Sequence, residues 1–295
     1  MNTYPKFRLI KPSDSDFPER LKVIPNPPKQ LYIAGNITPA DNLALAVVGT
    51  RKMTSYGKDC CLNIVPGVSL AGVTIVSGLM YGIDLTAQRT AVDCGGRTIG
   101  VLGFGSNYLY KVRDSVVLNK ILKEGLGAII SEFEPNESPA RWTFPKRNRL
   151  IAGLSRSILV IEADIKSGTY HTVDAALQQG KDILSVPGPI CNPSSRGTNR
   201  LIKDGAEVVT EANDVLYNLG LDSGSFINNA NILKPNTPLT LDEISILKVL
   251  DFVDTHVDDI IHTSGLKAGV VISGLVSLEL KEMVKDVGGG MYKRS

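Results

Sequence analysis

Phe144-Pro-Lys-Arg-Asn-Arg-Leu-Ile-Ala-Gly-Leu-Ser155, followed at once by Ser157-Ile-Leu-Val-Ile-Glu162, is the stretch on which the fold turns. The second run has four consecutive aliphatic residues between a serine and a glutamate, the pattern of a strand buried on both faces of a parallel sheet. The first run crowds Lys146, Arg147 and Arg149 around an amide, Asn148, with Arg141 and Trp142 just upstream. A buried strand is a poor neighbour for that many cations unless an anion balances them. Four basic residues between Arg141 and Arg149 can neutralise several phosphates, and Trp142 and Phe144 offer faces for a base to stack on. The plainer reading is a solvated basic turn before a strand.

Outward from this point the chain alternates short apolar runs with helical stretches. Strands are predicted at Leu43–Val48, Thr74–Ser77, Thr98–Leu102, Ala128–Ser131, Ile158–Glu162 and Ile183–Val186. Helices are predicted near 56–71, 84–94, 114–124, 147–154, 169–179 and 197–204. Such alternation argues for an α/β fold, a doubly wound, mostly parallel, Rossmann-like sheet. The division expected is a proline-rich extended lead-in over 1–40, the α/β domain over 41–218, a Gly/Ser/Asn/Pro linker over 219–238 and a small domain over 239–295. In the last, helices at Leu241–Phe252, His256–Ser264 and Lys267–Met283 precede a hairpin tipped by Gly288-Gly-Gly290, the outline of a winged helix.

Composition narrows the function. The 295 residues carry a net charge of only +2, so an anion site must be local. The tail from Leu239 holds nine acids against six bases, leaving +5 on the first 238 residues. Cys60, Cys61, Cys94 and Cys191 show no metal-type spacing, and no metal or cofactor is expected. No apolar run has membrane-spanning length and the N-terminus does not read as a signal peptide, so a cytoplasmic protein without a membrane partner is expected.

Loops at the predicted strand ends have the composition of an anion site. Gly49 to Gly57 supplies Gly49, Thr50, Arg51 and Ser55. Ser77-Gly-Leu-Met-Tyr-Gly-Ile-Asp84 opens the next helix, with Ser77 and Gly78 at the strand end. Gly103-Phe-Gly105 and Ser167-Gly-Thr169 follow, and Pro187-Gly-Pro189 closes the series. In a doubly wound sheet these loops share one edge, where ligands collect. A glycine there is more often geometry than ligand contact. Gly103-x-Gly105 lacks the third glycine of a dinucleotide fingerprint, and no Walker-type loop occurs. His171 has no paired nucleophile, and Asp84 reads as a helix or loop organiser, so catalysis is unsupported.

These motifs together resemble the DprA/Smf family. The resemblance rests on Val48-Gly-Thr-Arg51 with Ser55-Tyr-Gly57, on Ser77-Gly-Leu79 with Gly82-Ile-Asp84, and on Phe144-Pro-x-Arg-Asn-Arg149 with Ile151-Ala-Gly-Leu-Ser155. Ser167-Gly-Thr169, Val186-Pro-Gly188, Gly197-x-Asn199, Leu201-Ile202 and Gly205-Ala206 follow in the same order, and the tail looks like that family's winged helix. The resemblance implies a homodimeric mediator, not an enzyme, that binds single-stranded DNA and loads RecA recombinase on incoming strands in natural transformation. It implies that Arg51 contacts phosphate and that Lys146, Arg147 and Arg149 line a basic pocket. Phe144 would pack beside a base, Asn148 would bond the strand or the loop, and Ser167, Gly168 and Thr169 would border the pocket. Two departures stand out. Gln88 replaces a usual histidine, and Lys111 follows Tyr110 where proline is common, adding a cation for phosphate. The competing readings are a phosphoribohydrolase-like nucleotide enzyme, which lacks its Pro-Gly-Gly-x-Gly-Thr-x-x-Glu pattern here, and a winged-helix transcriptional regulator, disfavoured by the acidic tail.

Overall fold

The computed structural model describes residues 6–221, 239–250, 253–281 and 283–294, which fall into two units, Met1–Ala230 and Asn231–Ser295. The stretch expected as a linker lies almost wholly outside the described residues. So do residues 251–252 and 282, which belong to two of the expected C-terminal helices.

In the larger unit the chain forms β1 (Arg8–Ile10), α1 (Glu19–Lys22), β2 (Leu31–Gly35), β3 (Ala44–Val48), α2 (Ser55–Leu70), β4 (Thr74–Ser77), α3 (Ile83–Asp93) and β5 (Thr98–Val101). It continues through α4 (Ser115–Leu122), β6 (Gly127–Ser131), α5 (Thr143–Leu154), β7 (Ser157–Val160), α6 (Tyr170–Gln178), β8 (Asp182–Ser185), α7 (Arg196–Lys203), β9 (Glu207–Val208) and α8 (Ala212–Asn218). The strands make one sheet in the order β1-β2-β6-β5-β4-β3-β7-β8-β9. From β6 to β9 every pairing is parallel, while β1 and β2 run antiparallel at one edge. The chain starts its parallel part at β3, winds outward through β4 to β6, then crosses back to β7 on the other side of β3. The doubly wound sheet expected from the alternation is therefore present, with its switch point between β3 and β7.

The strand β3 shows why. Ala44, Ala46 and Val48 join one buried cluster with residues of α1, α5 and α6, whereas Leu45 and Val47 join another with residues of α2, α3 and α8. With side chains alternating across the pleat, a strand apolar at every position must be covered on both faces.

Residues 1–40 differ from the expected lead-in. Two of their segments, β1 and β2, are strands of the main sheet, and Leu31, Ile33, Phe17 and Leu21 are core residues. Leu31-Tyr-Ile-Ala-Gly35 is a short apolar run that the surrounding prolines masked. The basic stretch also differs from a turn, because α5 begins at Thr143 and takes in Lys146, Arg147 and Arg149, leaving only Arg141 in the turn before it. Pro145 sits in the first helical turn, where a missing N–H costs no intrahelical bond.

The smaller unit contains α9 (Leu241–Val249), β10 (Thr255–His256), α10 (Val257–Ser264), α11 (Ala268–Leu280), β11 (Val284–Gly288) and β12 (Met291–Arg294). Its sheet runs β10-β12-β11, and Gly289 and Gly290 make the turn with φ of 65° and 77°, values a side chain disfavours. Three helices and this wing are the winged-helix outline. Inside it, Glu243 accepts from Ser277 Oγ at 2.7 Å and Lys281 Nζ at 2.6 Å, tying α9 to the end of α11. Those partners pull its carboxyl down to about 2. Ile272, Val276 and Leu280 line the outer side of α11, which is thus apolar and not basic.

The N-terminal segment is integral to the core if Leu21, fully buried against Gly153 of α5, contributes packing energy. Leu21→Ala is expected to cost about 2–5 kcal/mol. Urea unfolding followed by the single tryptophan, Trp142, which lies in the larger unit, measures this. A loss under ~0.5 kcal/mol would make the segment peripheral.

Candidate nucleic-acid interface

At the switch point the carboxyl ends of β3 and β7 diverge and leave a cleft of about 610 Å3. Gly49 and Arg51 come from the loop after β3, Met80 and Asp84 from the loop and helix after β4. Phe144, Arg147 and Asn148 come from α5, and Ser167, Gly168 and Thr169 from the loop after β7.

The loop that carries Arg51 is anchored from beneath by Glu162, a buried acid just past β7. Its carboxylate accepts from Thr54 N at 2.9 Å and Thr54 Oγ1 at 2.6 Å, and its carbonyl accepts from Thr50 N at 2.7 Å. Thr54 in turn caps α2 by accepting from Gly57 N. Gly49 lets the loop close on this anchor, because a Cβ there would sit 2.6 Å from Ile83 and 2.8 Å from the Glu162 carbonyl. Arg51 is left exposed, its guanidinium 5.0 Å from the centroid of the Phe144 ring. That distance suits a cation–π contact. The Phe144 ring is itself seated against Gly103, where a Cβ would approach to 2.8 Å.

Arg147 occupies the floor. It is buried, donates from Nη1 to Gly78 O at 3.0 Å and to Val101 O, and donates from Nε to Asn148 Oδ1 at 3.1 Å. Burial pulls its guanidinium down to about 10, with the Asp84 charge opposing that shift and Arg51 adding to it. Gly78 lies between the two charged groups, since a Cβ there would be 2.6 Å from both Arg147 Nη2 and Asp84 Oδ2. Asp84 accepts from Gly78 N at 3.1 Å. Burial pushes its carboxyl up to about 6, against the pull of Arg147 and the Gly78 N–H.

The remaining expected site residues separate into those in the cleft and those elsewhere. Ser167 and Thr169 face each other at 2.8 Å between hydroxyls, and Gly168 between them is exposed with open space at its Cβ position. Of Lys146, Arg147 and Arg149, expected to line the pocket together, only Arg147 does so. Arg149 bonds Glu132 at 2.6 Å, the Asn26 carbonyl and the Lys146 carbonyl. Lys146 is exposed near the Phe133 and Trp142 rings and 3.9 Å from Glu132. Ser77 is buried and donates to Val47 O, Gly105 is packed against the carbonyls of Glu134 and Pro135, and Ser55 is the exposed first residue of α2 outside the cleft. Lys111 borders a second, smaller cavity.

Arg147 had a legible signal. With Leu150, Ile151 and Leu154 it completes an i, i+3, i+4, i+7 set, all buried, the inward stripe of an amphipathic helix. Arg141, counted with the basic stretch, and His171, read as lacking a paired nucleophile, both line the cleft, as does Asp84, read as a helix or loop organiser. Glu162 was missed, because it acts on Thr54, 108 positions away in sequence.

The fold and site thus define a doubly wound α/β protein with a cation-bearing cleft at its switch point and a winged-helix unit. The chain belongs to the DNA recombination-mediator protein A family, whose model matches residues 8–220, and the DprA winged-helix model matches residues 234–290. Protein Smf of Escherichia coli K12 is 37% identical over 98% of this chain and 78% of its own length. DNA processing protein DprA of Streptococcus pneumoniae R6 is 36% identical over 72% of this chain and 73% of its own. Among solved structures, DprA from Streptococcus pneumoniae superposes with a TM-score of 0.67 at 34% identity, covering 72% of this chain and 75% of its own. DNA processing protein A from Helicobacter pylori, described for a unique single-stranded DNA binding mode, gives 0.62 at 27% identity, covering 72% and 95%.

Asp84 makes a prediction about stability. Its folded carboxyl holds a proton more tightly than the unfolded one, so its contribution is fully present below about pH 4 and lost as pH rises through about 6. The stability of wild type relative to Asp84→Asn should therefore fall by on the order of 1–3 kcal/mol from pH 4 to pH 7. Urea titrations at several pH values, read by Trp142, test the slope. A flat difference would mean that Asp84 ionises without penalty.

Proposed function

We propose that this recombination-mediator chain binds single-stranded DNA in the switch-point cleft and, as a homodimer in the cytoplasm, hands the strand to RecA recombinase during uptake of transforming DNA. The observation that carries this reading is the placement of exposed Arg51 and the open Ser167–Thr169 loop on opposite sides of one cleft, over the buried charge of Arg147. Phosphate meets donors at the rim, and Phe144 supplies an aromatic surface beside them. Family membership and the strand-binding relative from Helicobacter pylori support the same assignment. The recombinase and the dimer enter through the resemblance alone.

Binding, not catalysis, is the work we assign to the cleft. Asp84, whose proton affinity is raised, is a group that favours a nucleotide-hydrolysing alternative. Its carboxylate is turned to Gly78 N and held beside Arg147, which makes it part of the floor. Incubation with nucleoside monophosphates is expected to release no free base. The smaller unit is assigned to protein contact, because the outer side of α11 presents Ile272, Val276 and Leu280 in place of phosphate-binding cations.

Two substitutions separate the groups of the basic stretch. Arg51→Ala is expected to weaken oligo-dT binding at least about tenfold and to reduce the salt slope by about one. Arg149→Ala removes a cation already paired with Glu132, so it should leave the slope unchanged. Fluorescence anisotropy across a salt series, with duplex as the comparison, checks both. An unchanged slope in Arg51→Ala, or equal affinity for the duplex, would defeat the assignment.

A further inference from the structure

The edge of the sheet opposite the cleft, at the amino ends of β7 and β8, carries a second group of cations. Ser157 of β7 is paired in register with Asp182 of β8. The residues before them, Arg156 and Lys181, therefore also stand side by side, on strands about 4.8 Å apart. Strand alternation puts both on the side of Ile158 and Ile183, whose buried cluster includes residues of α1, α5 and α6. Arg20 of α1 joins them from that side, because its neighbour Leu21 is seated on Gly153 near the end of α5. We propose that Arg20, Arg156 and Lys181 form a second phosphate site, which holds the backbone of a strand whose first segment lies in the cleft. The proposal rests on the single-strand reading and extends it to the far edge of the sheet.

Three features support a polyanion as the occupant. The first is that the group is not neutralised. Among the described residues no carboxylate pairs with any of the three cations. Glu19, beside Arg20, is bonded to Lys22 at 2.6 Å, and Asp182 falls on the opposite face of its strand. The ends of α5 and α6 reach this edge, and each supplies roughly half a negative charge. Against three full cations that leaves a net of about +2. The second feature is desolvation. Burial, with the Arg156 charge adding to it, holds the Arg20 guanidinium below its ordinary value. Burial and then the Arg20 charge do the same to the Lys181 ammonium. Like charges partly withdrawn from water repel, and an incoming anion relieves that repulsion.

The third feature is preorganisation. Arg156 N donates to Ala44 O at 2.8 Å, and Lys181 N donates to Ala176 O at 3.0 Å, after a turn in which Gly180 takes φ of 63°. Both backbones are thus fixed, and only side chains must order around a ligand. Two guanidinium groups and an ammonium, with no aromatic ring among them, suit phosphate oxygens and read no base. The four residues of β7 set the two edges of the sheet about 13 Å apart. A strand must therefore extend beyond the cleft before it reaches the second site.

The test compares a short oligo-dT that fills the cleft alone with one several times longer, by anisotropy across a salt series. The variant is the double substitution Arg20→Gln, Lys181→Gln. On the long strand it should bind about tenfold more weakly at low salt, with a salt slope reduced by about 1.4, two phosphates at roughly 0.7 each. On the short strand it should match wild type. Its urea midpoint, read by Trp142, should not fall, because a like-charge repulsion has been removed. A lower midpoint would mean that the cations serve the helix ends, and would overturn the site. Unchanged binding of the long strand, or equal losses on both lengths, would overturn it too. Labelled polyglutamate that binds wild type but not the variant, with long-strand binding intact, would reassign the group to an acidic protein partner. If Arg51→Ala weakens both lengths while the double variant matches wild type, the single-strand reading stands and only the second site is wrong. If wild type binds neither length, that reading falls and the site with it.

Discussion

The buried guanidinium of Arg147 is the interaction around which the site is organised. Its bonds to Gly78 O and Val101 O join the carboxyl ends of β4 and β5 to α5. Desolvating a cation is costly, and the cost is bearable only when its donors are occupied and a negative charge is near. The two carbonyls, the Asn148 amide oxygen and the Asp84 carboxylate across Gly78 meet that need. Because all of those partners but Asn148 lie outside α5, at the end of β4, in β5 and in α3, satisfying one arginine sets the depth at which α5 enters the cleft. It also sets the position of Phe144, one turn earlier on the same helix.

Glu162 plays the matching part on the other wall. It holds the Thr50–Thr54 loop through backbone and hydroxyl donors, so Arg51 starts from a fixed base even though its side chain is in solvent. A phosphate-binding cation on an anchored loop loses less conformational freedom on binding than one on a free loop. The cleft thus combines a rigid floor charge that no ligand needs to touch with a rim charge that can adjust.

The fold was largely legible because parallel strands buried on both faces leave unbroken aliphatic runs, as in Ala44–Val48 and Ser157–Val160, and the intervening helices are each long enough for two or more turns. What the pattern missed follows from the same physics. β1 is an edge strand of three residues, and β2 beside it, though as long as β3, sits among prolines that made the whole segment read as an extended lead-in. The cation cluster was read as a unit because its members adjoin in sequence, but a helix sends Arg147 inward and Lys146 outward. Applying the helical period to charged residues, and not only to apolar ones, recovers Arg147 without a structure. Asp84, read from the sequence as a helix or loop organiser, does hold the Gly78 N–H six residues before it, but no such device recovers Glu162, whose partner Thr54 is 108 positions away.

Gln88 shows how a single departure from a family pattern can be read physically. As a substitution for a histidine it looks like the loss of a titratable group. In the structure its amide meets one donor and two acceptors at once, the Leu79 N–H, the Thr98 hydroxyl and the Ile99 carbonyl. An imidazole has only two ring nitrogens to offer. The amide is therefore better matched to this pocket, and it fixes a left-handed leucine whose side chain closes the small cavity. The departure is thus a feature of how the wall beside the cleft is built, and charge is not its subject. A buried amide of this kind is also insensitive to pH across the range in which histidine titrates, so the Leu79 wall keeps its shape while the protonation of Asp84 changes beside it.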